Sequence, residues 1–222
     1  MAQVFHEAGQ ELRLTKNRGH YELMIGHVPI LTSAALGTER DFGKLAGKYS
    51  RASKPRVVIG GLGFGSTLAG ALHVLPQDAE VLMVEKLKTV IDLVSGPLSH
   101  LAPQVLKDPR VRLIQEDVCS VIARENDLDA ILLDVDNGPE WGSFKTNARL
   151  YNLEGLRTAK KSLCIGGAFA VWSGYPCDHF SNQLREVGFI PSCVLFHEHG
   201  KLQARAYVGR NGRVKASRNE SR

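Results

Sequence analysis

The chain has 222 residues, of which 43% are hydrophobic and 23% are charged, a composition typical of a globular domain with an apolar core. No stretch approaches the roughly 18 apolar residues of a membrane span, and the opening lacks the apolar run of a signal peptide, so we expect a cytoplasmic protein. Four widely spaced cysteines without a CxxC pair predict reduced thiols rather than a disulfide framework or a zinc site.

The net charge of +5 is concentrated at the end of the chain. Residues 201–222 hold seven Lys or Arg and one Glu, a net of +6, which leaves −1 for the first 200 residues. Such a basic end is typical of a solvated tail. We therefore predict a disordered tail over residues 210–222, and the charge pattern disfavours nucleic acid as a partner.

The first fifty residues predict a small β unit followed by a helix. The segments ELRLTKN, YELMIG and VPILTS are rich in strand-forming residues and are separated by short polar or glycine turns. They indicate a β-hairpin or a meander. TERDFGKLA has helical spacing and links this unit to the rest of the chain. We assign residues 1–50 to this N-terminal unit.

Residues 51–209 alternate between helix candidates and near-continuous apolar runs of strand length, which predict strands buried on both faces. The predicted strands are RVVIG, EVLMVE, VRLIQED, DAILLDV and AFAVWS, and the predicted helices are 66–75, 87–94, 118–126, 148–163 and 178–187. This order predicts a doubly wound, mostly parallel α/β sheet of Rossmann-like topology. SCVLFHE and QARAYVG add a closing antiparallel hairpin, which is the layout of the class I methyltransferase-like fold.

The first strand runs into a glycine turn, GGLGFGS, which predicts a ligand site. Ligands of open α/β sheets bind beyond the carboxyl ends of the strands, and Gly61, Gly63 and Gly65 allow close approach of the backbone. The dinucleotide pattern GxGxxG requires glycine at position 66 and finds Ser66. GxGxG is better suited to S-adenosylmethionine, although a turn without a ligand stays open.

Carboxylates follow the next two strands. Glu85 ends the second strand, where it can accept hydrogen bonds from ribose hydroxyls, and Lys86 follows on the same side. Asp117 ends the third strand just before Val118 and is placed to hold an adenine amino group. Capping of the helix that begins at Val118 is the alternative role of Asp117. Together these residues predict an adenosyl pocket.

The fourth strand ends in a further group of polar residues, DVDNGPE. Asp134 lies at the strand tip, and Asp136, Asn137 and Glu140 follow around a turn made by Asn-Gly-Pro. A carboxylate with a raised pKa can act there as a general base. We expect the residues after Asp134, and Tyr151 beyond them, to contact the acceptor substrate, while core packing is the alternative for Tyr151.

The motifs GGLGFGSTL, VEK, EDV, ILLDVDNGPE and AFAVWS occur in an order that resembles the spermidine synthase-like, or polyamine aminopropyltransferase-like, branch of the methyltransferase fold. The resemblance implies transfer of an aminopropyl group from decarboxylated S-adenosylmethionine to an amine. Asp134 stands at the position of that family's catalytic aspartate. No metal or membrane partner is expected, and a homodimer is left open.

Three departures from the family pattern leave alternatives open. Phe64 stands in the glycine turn where the family carries an acidic residue, and Asn137 and Gly138 precede Pro139 where the family has a second aspartate. The family's YHE segment is missing, and ALGTERDFG stands near its place. An S-adenosylmethionine-dependent methyltransferase acting on a small acceptor, and a non-catalytic adenosyl-binding relative, are therefore the alternative functions.

Overall fold

The computed structural model describes residues 2–34, 36–50, 52–135, 138–140 and 147–212. It contains a four-stranded and a seven-stranded sheet. Asp136 and Asn137, to which the sequence assigned acceptor contacts, lie outside the described residues. Among the described residues, no helix combines the length and hydropathy that crossing a membrane would need.

The N-terminal unit is an antiparallel meander, one of the two arrangements that the sequence left open, and it has one strand more than the three predicted segments. Its strands are β1 (Gln3–Glu7), β2 (Gln10–Asn17), β3 (His20–Ile25) and β4 (Val28–Thr32), in that spatial order. The additional strand β1 pairs along its whole length with β2. Two short helices follow, α1 (Gly37–Gly43) and α2 (Leu45–Tyr49). The division near residue 50 remains a proposal.

The second sheet has the predicted doubly wound topology, with spatial order β10-β11-β9-β8-β5-β6-β7. Its parallel strands are β5 (Arg56–Gly60), β6 (Glu80–Glu85), β7 (Val111–Gln115), β8 (Leu128–Leu133) and β9 (Leu163–Ser173). The predicted closing hairpin is β10 (Ile190–Glu198) and β11 (Lys201–Arg210), and β11 pairs antiparallel with β9. The Rossmann-like prediction is confirmed.

The helices cover both faces of this sheet. They are α3 (Ser66–Val74), α4 (Lys88–Ser95), α5 (Val118–Arg124), α6 (Ala148–Tyr151), α7 (Leu153–Ser162) and α8 (Asp178–Glu186), with 3₁₀ turns at Ser99–Leu101 and Val105–Lys107. One core cluster joins the sheet to α1–α4, and the other joins it to α5–α8. Successive strand residues such as Val57 and Val58 enter opposite clusters because side chains alternate along a strand.

Three local predictions need correction. The single helix expected over 148–163 is broken at Asn152, whose side chain accepts a hydrogen bond from the Gly155 amide and so begins a new helix, α7. β7 was predicted to be buried on both faces, but it is an edge strand with Leu113 exposed. Asn211, assigned to the tail, bonds through its side chain to the carbonyl oxygens of Leu163 and Cys164.

Candidate active site

A cleft opens at the carboxyl ends of the parallel strands, at the edge where α/β sheets bind ligands. It holds about 660 Å³ of empty space, a figure that includes open solvent at its mouth. The turns after β5, β6, β7 and β8 all contribute. The lining residues are Ile30, Leu31, Gly61, Gly63, Val84, Glu85, Lys86, Leu87, Val90, Glu116, Asp117, Val118, Asp134, Val135 and Asn147.

The three glycines of the turn have different roles, although all three have positive φ. Gly61 (φ +89°) lies against β8, and a Cβ there would come within 2.1 Å of the carbonyl oxygen of Asp134. Gly63 lines the cleft, and a Cβ there would make only an ordinary contact of 3.7 Å with Leu31. Gly65 lies outside the cleft lining, where a Cβ would meet Ala102 at 2.7 Å. The turn therefore brings the backbone against Asp134 and leaves Gly63 facing the ligand space.

Glu85 is buried at the end of β6 and joins two turns of the cleft wall. Its carboxylate accepts hydrogen bonds from the backbone amides of Leu62 (2.9 Å) and Leu87 (2.8 Å). Burial raises the pKa of Glu85, and these amide bonds oppose that shift by favouring the ionised form. Each carboxylate oxygen accepts more than one hydrogen bond, so Glu85 keeps capacity for a hydroxyl donor in the cleft.

Asp117 caps α5, as the alternative interpretation predicted, because its side chain accepts a hydrogen bond from the Cys119 amide at 2.9 Å. The other carboxylate oxygen pairs with Arg149 (2.6 Å) and Lys86 (3.6 Å). Burial disfavours the charged form, but the Cys119 bond and the two cations outweigh it, so the pKa of Asp117 is lowered. Asp117 also lines the cleft beside Val118, so capping does not remove it from the ligand space.

Asp134 follows β8 at the inner end of the cleft. Its carboxylate lies 2.5 Å from the hydroxyl of the buried Thr67 on α3. Burial raises the pKa of Asp134 to about 6, and the hydrogen bond from Thr67 opposes the rise. A carboxylate that titrates near neutral pH can take a proton from a substrate and release it again.

Glu39 is a second acidic residue next to Asp134, and the sequence interpretation missed it. It lies on α1, and its backbone carbonyl oxygen is 3.2 Å from the same Thr67 hydroxyl. Burial and repulsion by Asp134 raise the pKa of Glu39 well above its usual range. The two carboxyl groups therefore interact electrostatically, and a cation bound between them would relieve their repulsion.

Close packing of α1 on α3 puts Glu39 in this place. A Cβ on Gly43 would lie 2.0 Å from the carbonyl oxygen of Thr67, and a Cβ on Gly70 would lie 2.0 Å from that of Arg40. Each helix thus presents a glycine to the backbone of the other. Glycines inside helical segments often mark such close approaches, and this signal in the sequence could have pointed to the α1–α3 contact.

Glu140 and Tyr151, two of the predicted acceptor residues, lie away from the cleft lining. Tyr151 is buried in the core, with its ring edge-on to Phe180 at 6.0 Å, which matches the core-packing alternative. Glu140 is exposed and pairs with His179 at 2.9 Å. Asn147 does line the cleft and makes no side-chain capping bond to α6. The acceptor contacts proposed for Tyr151 and Glu140 are therefore not supported by their positions.

The N-terminal sheet forms one wall of the cleft, which the sequence did not predict. Ile30 and Leu31 of β4 are both among the lining residues. Glu7 of β1 accepts hydrogen bonds from the backbone amides of Lys88 (2.6 Å) and Thr89 (2.8 Å), at the start of α4. A carboxylate from one sheet thus satisfies free amides at a helix N-terminus of the other. The first sheet is therefore anchored beside the ligand space.

Comparisons with solved structures support the fold assignment. The chain is similar to a spermidine synthase crystallised with the transition state analogue AdoDATO (16% identity, TM-score 0.71, covering 95% of this chain and 72% of that one). It is also similar to spermidine synthase from Thermotoga maritima (16%, 0.72, 95% and 72%) and to a probable spermidine synthase from Corynebacterium glutamicum (16%, 0.61, 99% and 84%).

Comparisons of the sequence alone give no match, either to a protein-family model or to a curated protein. At 16% identity the structural likeness establishes the fold. The chain thus has the class I methyltransferase-like fold found in spermidine synthases, with a four-stranded sheet before it.

Proposed function

We propose that the chain is a transferase that moves an aminopropyl group from decarboxylated S-adenosylmethionine to an amine, with Asp134 as the general base. The observation that carries this proposal is the carboxylate of Asp134, whose pKa is raised to about 6 at the end of a cleft that Glu85 and Asp117 also line. The shared fold with a spermidine synthase that binds AdoDATO supports the same assignment.

The adenosyl part of the donor is proposed to bind along β5, β6 and β7. Glu85 would accept hydrogen bonds from the ribose hydroxyls, and Asp117 would accept one from the adenine amino group. The backbone of the glycine turn would contact the sulfonium chain, while apolar side chains cover the adenine ring. Lys86 and Val118 are proposed to complete this pocket, and Gly65 to act only through the shape of the turn.

The proposed reaction needs one proton transfer and one displacement. An alkylammonium group has a pKa of about 10, so it must lose a proton before its nitrogen can attack. The carboxylate of Asp134 takes that proton. The nitrogen lone pair then forms a bond to the propyl carbon beside the sulfonium, the carbon–sulfur bond breaks towards sulfur, and neutral methylthioadenosine leaves. Alignment of the two reactants in the cleft supplies the remaining acceleration.

Glu39 is proposed to bind the acceptor as a cation. Two carboxylates that repel each other are stabilised by an ammonium ion placed between them. Glu39 offers an acidic partner for Asp134 in place of the aspartate that is missing directly before Pro139. Asp136 and Asn137 remain proposed acceptor contacts from the sequence. A positively charged di- or polyamine is therefore the proposed class of acceptor.

Methyl transfer from S-adenosylmethionine is the second candidate, and Phe64 is the observation that favours it. This side chain is 2% exposed and packs in the core, so the glycine turn offers the donor backbone groups alone. Methyl transfer depends mainly on alignment of donor and acceptor. The absence of a carboxylate from the glycine turn would therefore slow a methyltransferase little.

Calorimetric titration with the two possible products separates these candidates. We expect methylthioadenosine to bind, and Glu85→Gln to weaken its binding at least tenfold, because two amides and the ribose share that carboxylate. Glu80→Gln, at the opposite end of β6, is the matched control and should bind normally. Much tighter binding of S-adenosylhomocysteine would favour the methyltransferase, and binding of neither compound would refute an adenosyl site.

A further inference from the structure

Three side chains with metal-binding atoms lie together outside the cleft lining. They are Glu140, Cys177 and His179, and the atoms that could bind a metal lie within 4.8 Å of one another. The Glu140 carboxylate is 2.9 Å from Nδ1 of His179, and Sγ of Cys177 is 3.8 and 3.9 Å from the two ring nitrogens. Cys177 is buried, whereas the other two side chains are exposed, so solvent can reach the cluster from one side.

The backbone around Cys177 is held in place by the protein. The Cys177 amide lies 2.5 Å from the hydroxyl of the buried Tyr207, and the Cys177 carbonyl accepts a bond from the Phe180 amide at 3.1 Å. Cys177 occupies the N-cap position of α8, but its side chain makes no capping bond. The fold therefore positions this residue, and its sulfur is not used to cap α8.

Thiolate, imidazole and carboxylate together are the ligand types of zinc. Tetrahedral zinc with bonds of 2.0–2.3 Å would place its ligand atoms about 3.3–3.8 Å from one another. Nδ1 of His179 lies 2.9 Å from the Glu140 carboxylate and 3.8 Å from Sγ of Cys177, close to these values, and the carboxylate and the sulfur lie within 4.8 Å of each other. Small side-chain rotations would bring the three atoms to bonding distance, and a water molecule would take the fourth position.

We propose that Glu140, Cys177 and His179 form a zinc-binding site that joins Glu140 to the first turn of α8. Binding forms a zinc–sulfur bond and releases the thiol proton to solvent, with no change of oxidation state. Glu140 lies six residues after Asp134 in the sequence. Zinc would thus hold Glu140 beside α8. This inference differs from the sequence expectation of no metal, and it does not depend on the proposed function.

Cobalt titration of the untagged full chain tests this site, because a cobalt–thiolate bond produces a charge-transfer absorption band. After treatment with a chelator, we expect one equivalent of Co²⁺ to give this band and Zn²⁺ to abolish it by displacement. His179→Ala should weaken Co²⁺ binding at least tenfold, and Cys177→Ala should remove the band. Cys193→Ala, which changes an exposed cysteine outside the cluster, is the matched control and should behave as the wild type.

Three outcomes would overturn the site. These are absence of the band in the wild type, persistence of the band in Cys177→Ala, and unchanged affinity in His179→Ala. If Cys177→Ala does not fold, His179→Ala decides alone, since its side chain is exposed and its loss leaves the core intact. The band should persist whether or not the protein transfers an aminopropyl group, so the two proposals fail independently.

Discussion

Thr67 connects Asp134, at the end of the cleft, with the backbone of Glu39 on the neighbouring helix. Its hydroxyl lies 2.5 Å from the Asp134 carboxylate and 3.2 Å from the Glu39 carbonyl oxygen. A hydroxyl has one hydrogen, and the ionised carboxylate is the stronger acceptor. Thr67 therefore favours the charged form of Asp134. Asp134 ionises first, and its charge then raises the pKa of Glu39. The base is therefore ionised at a lower pH than its neighbour.

Substitution of Glu39 tests this order of ionisation. Glu39→Gln should raise KM for the amine at least tenfold, because one of the two carboxyl groups proposed to hold the cation is lost. The base must be ionised to act, so kcat/KM for the amine, which reports the groups of the free enzyme, should rise with pH through about 6 and then level off. Since Asp134 ionises before Glu39, Glu39→Gln should leave this rise in place.

The control for this experiment is Asp41→Asn on the same helix, where Asp41 is exposed and pairs with Lys44. It should change neither KM nor the pH profile. An unchanged KM in Glu39→Gln would show that Glu39 does not face the amine. A displaced pH profile would show that the titration near pH 6 belongs to Glu39 rather than to Asp134.

At the scale of elements, the contact between α1 and α3 determines the geometry around Asp134. α3 supplies Thr67, and α1 supplies Glu39. Gly43 and Gly70 allow the two helices to touch backbone to backbone. This contact brings the backbone of Glu39 to the hydroxyl of Thr67, which lies 28 positions later in the sequence. The glycines therefore have a role in the proposed chemistry, although neither lines the cleft.

Gly70→Ala should separate these helices. The added Cβ would lie 2.0 Å from the Arg40 carbonyl oxygen, and overpacking of this kind costs about 1–3 kcal/mol. Alanine favours a helix over glycine by about 1 kcal/mol, but a clash with backbone cannot be relieved by a rotamer change. We expect a lower free energy of unfolding in urea and a higher KM for the amine.

Gly174→Ala is the matched control, because the nearest atom to its Cβ, on Trp172, is at an ordinary 3.5 Å. Its free energy of unfolding should stay within about 0.5 kcal/mol of the wild type. If Gly70→Ala were as stable as this control and kept the wild-type KM, the helix contact would not position Glu39.

At the scale of the whole molecule, two sheets share one cleft. The doubly wound sheet supplies the polar strand ends, and the N-terminal meander supplies an apolar wall through Ile30 and Leu31. The two are joined where Glu7 binds the free amides at the start of α4. Hydrogen bonds from those amides outweigh burial and lower the pKa of Glu7. The wall and the polar strand ends are thus parts of one ligand space.

The sequence predicts the features that depend on strand order. Parallel strands end at the same edge of the sheet, so Glu85, Asp117 and Asp134 could be brought together from their positions alone. Glu39 could not be found in this way, because its place depends on how closely two helices pack. Ile30 depends likewise on the docking of one sheet on another. For Tyr151 the sequence could not choose between acceptor contact and core packing, because that choice depends on a short helix that turns its side chain into the core.

The most direct test of the proposed reaction is the release of methylthioadenosine, measured by mass spectrometry in wild type and in Asp134→Asn. Decarboxylated S-adenosylmethionine would be supplied with a panel of di- and polyamines, and Asp92→Asn, at an exposed position on α4, would be the control. We predict methylthioadenosine together with an aminopropylated amine, and a rate about 100-fold lower in Asp134→Asn. Release of no methylthioadenosine with any amine, or equal rates in wild type and Asp134→Asn, would contradict Asp134 as the base of an aminopropyltransferase.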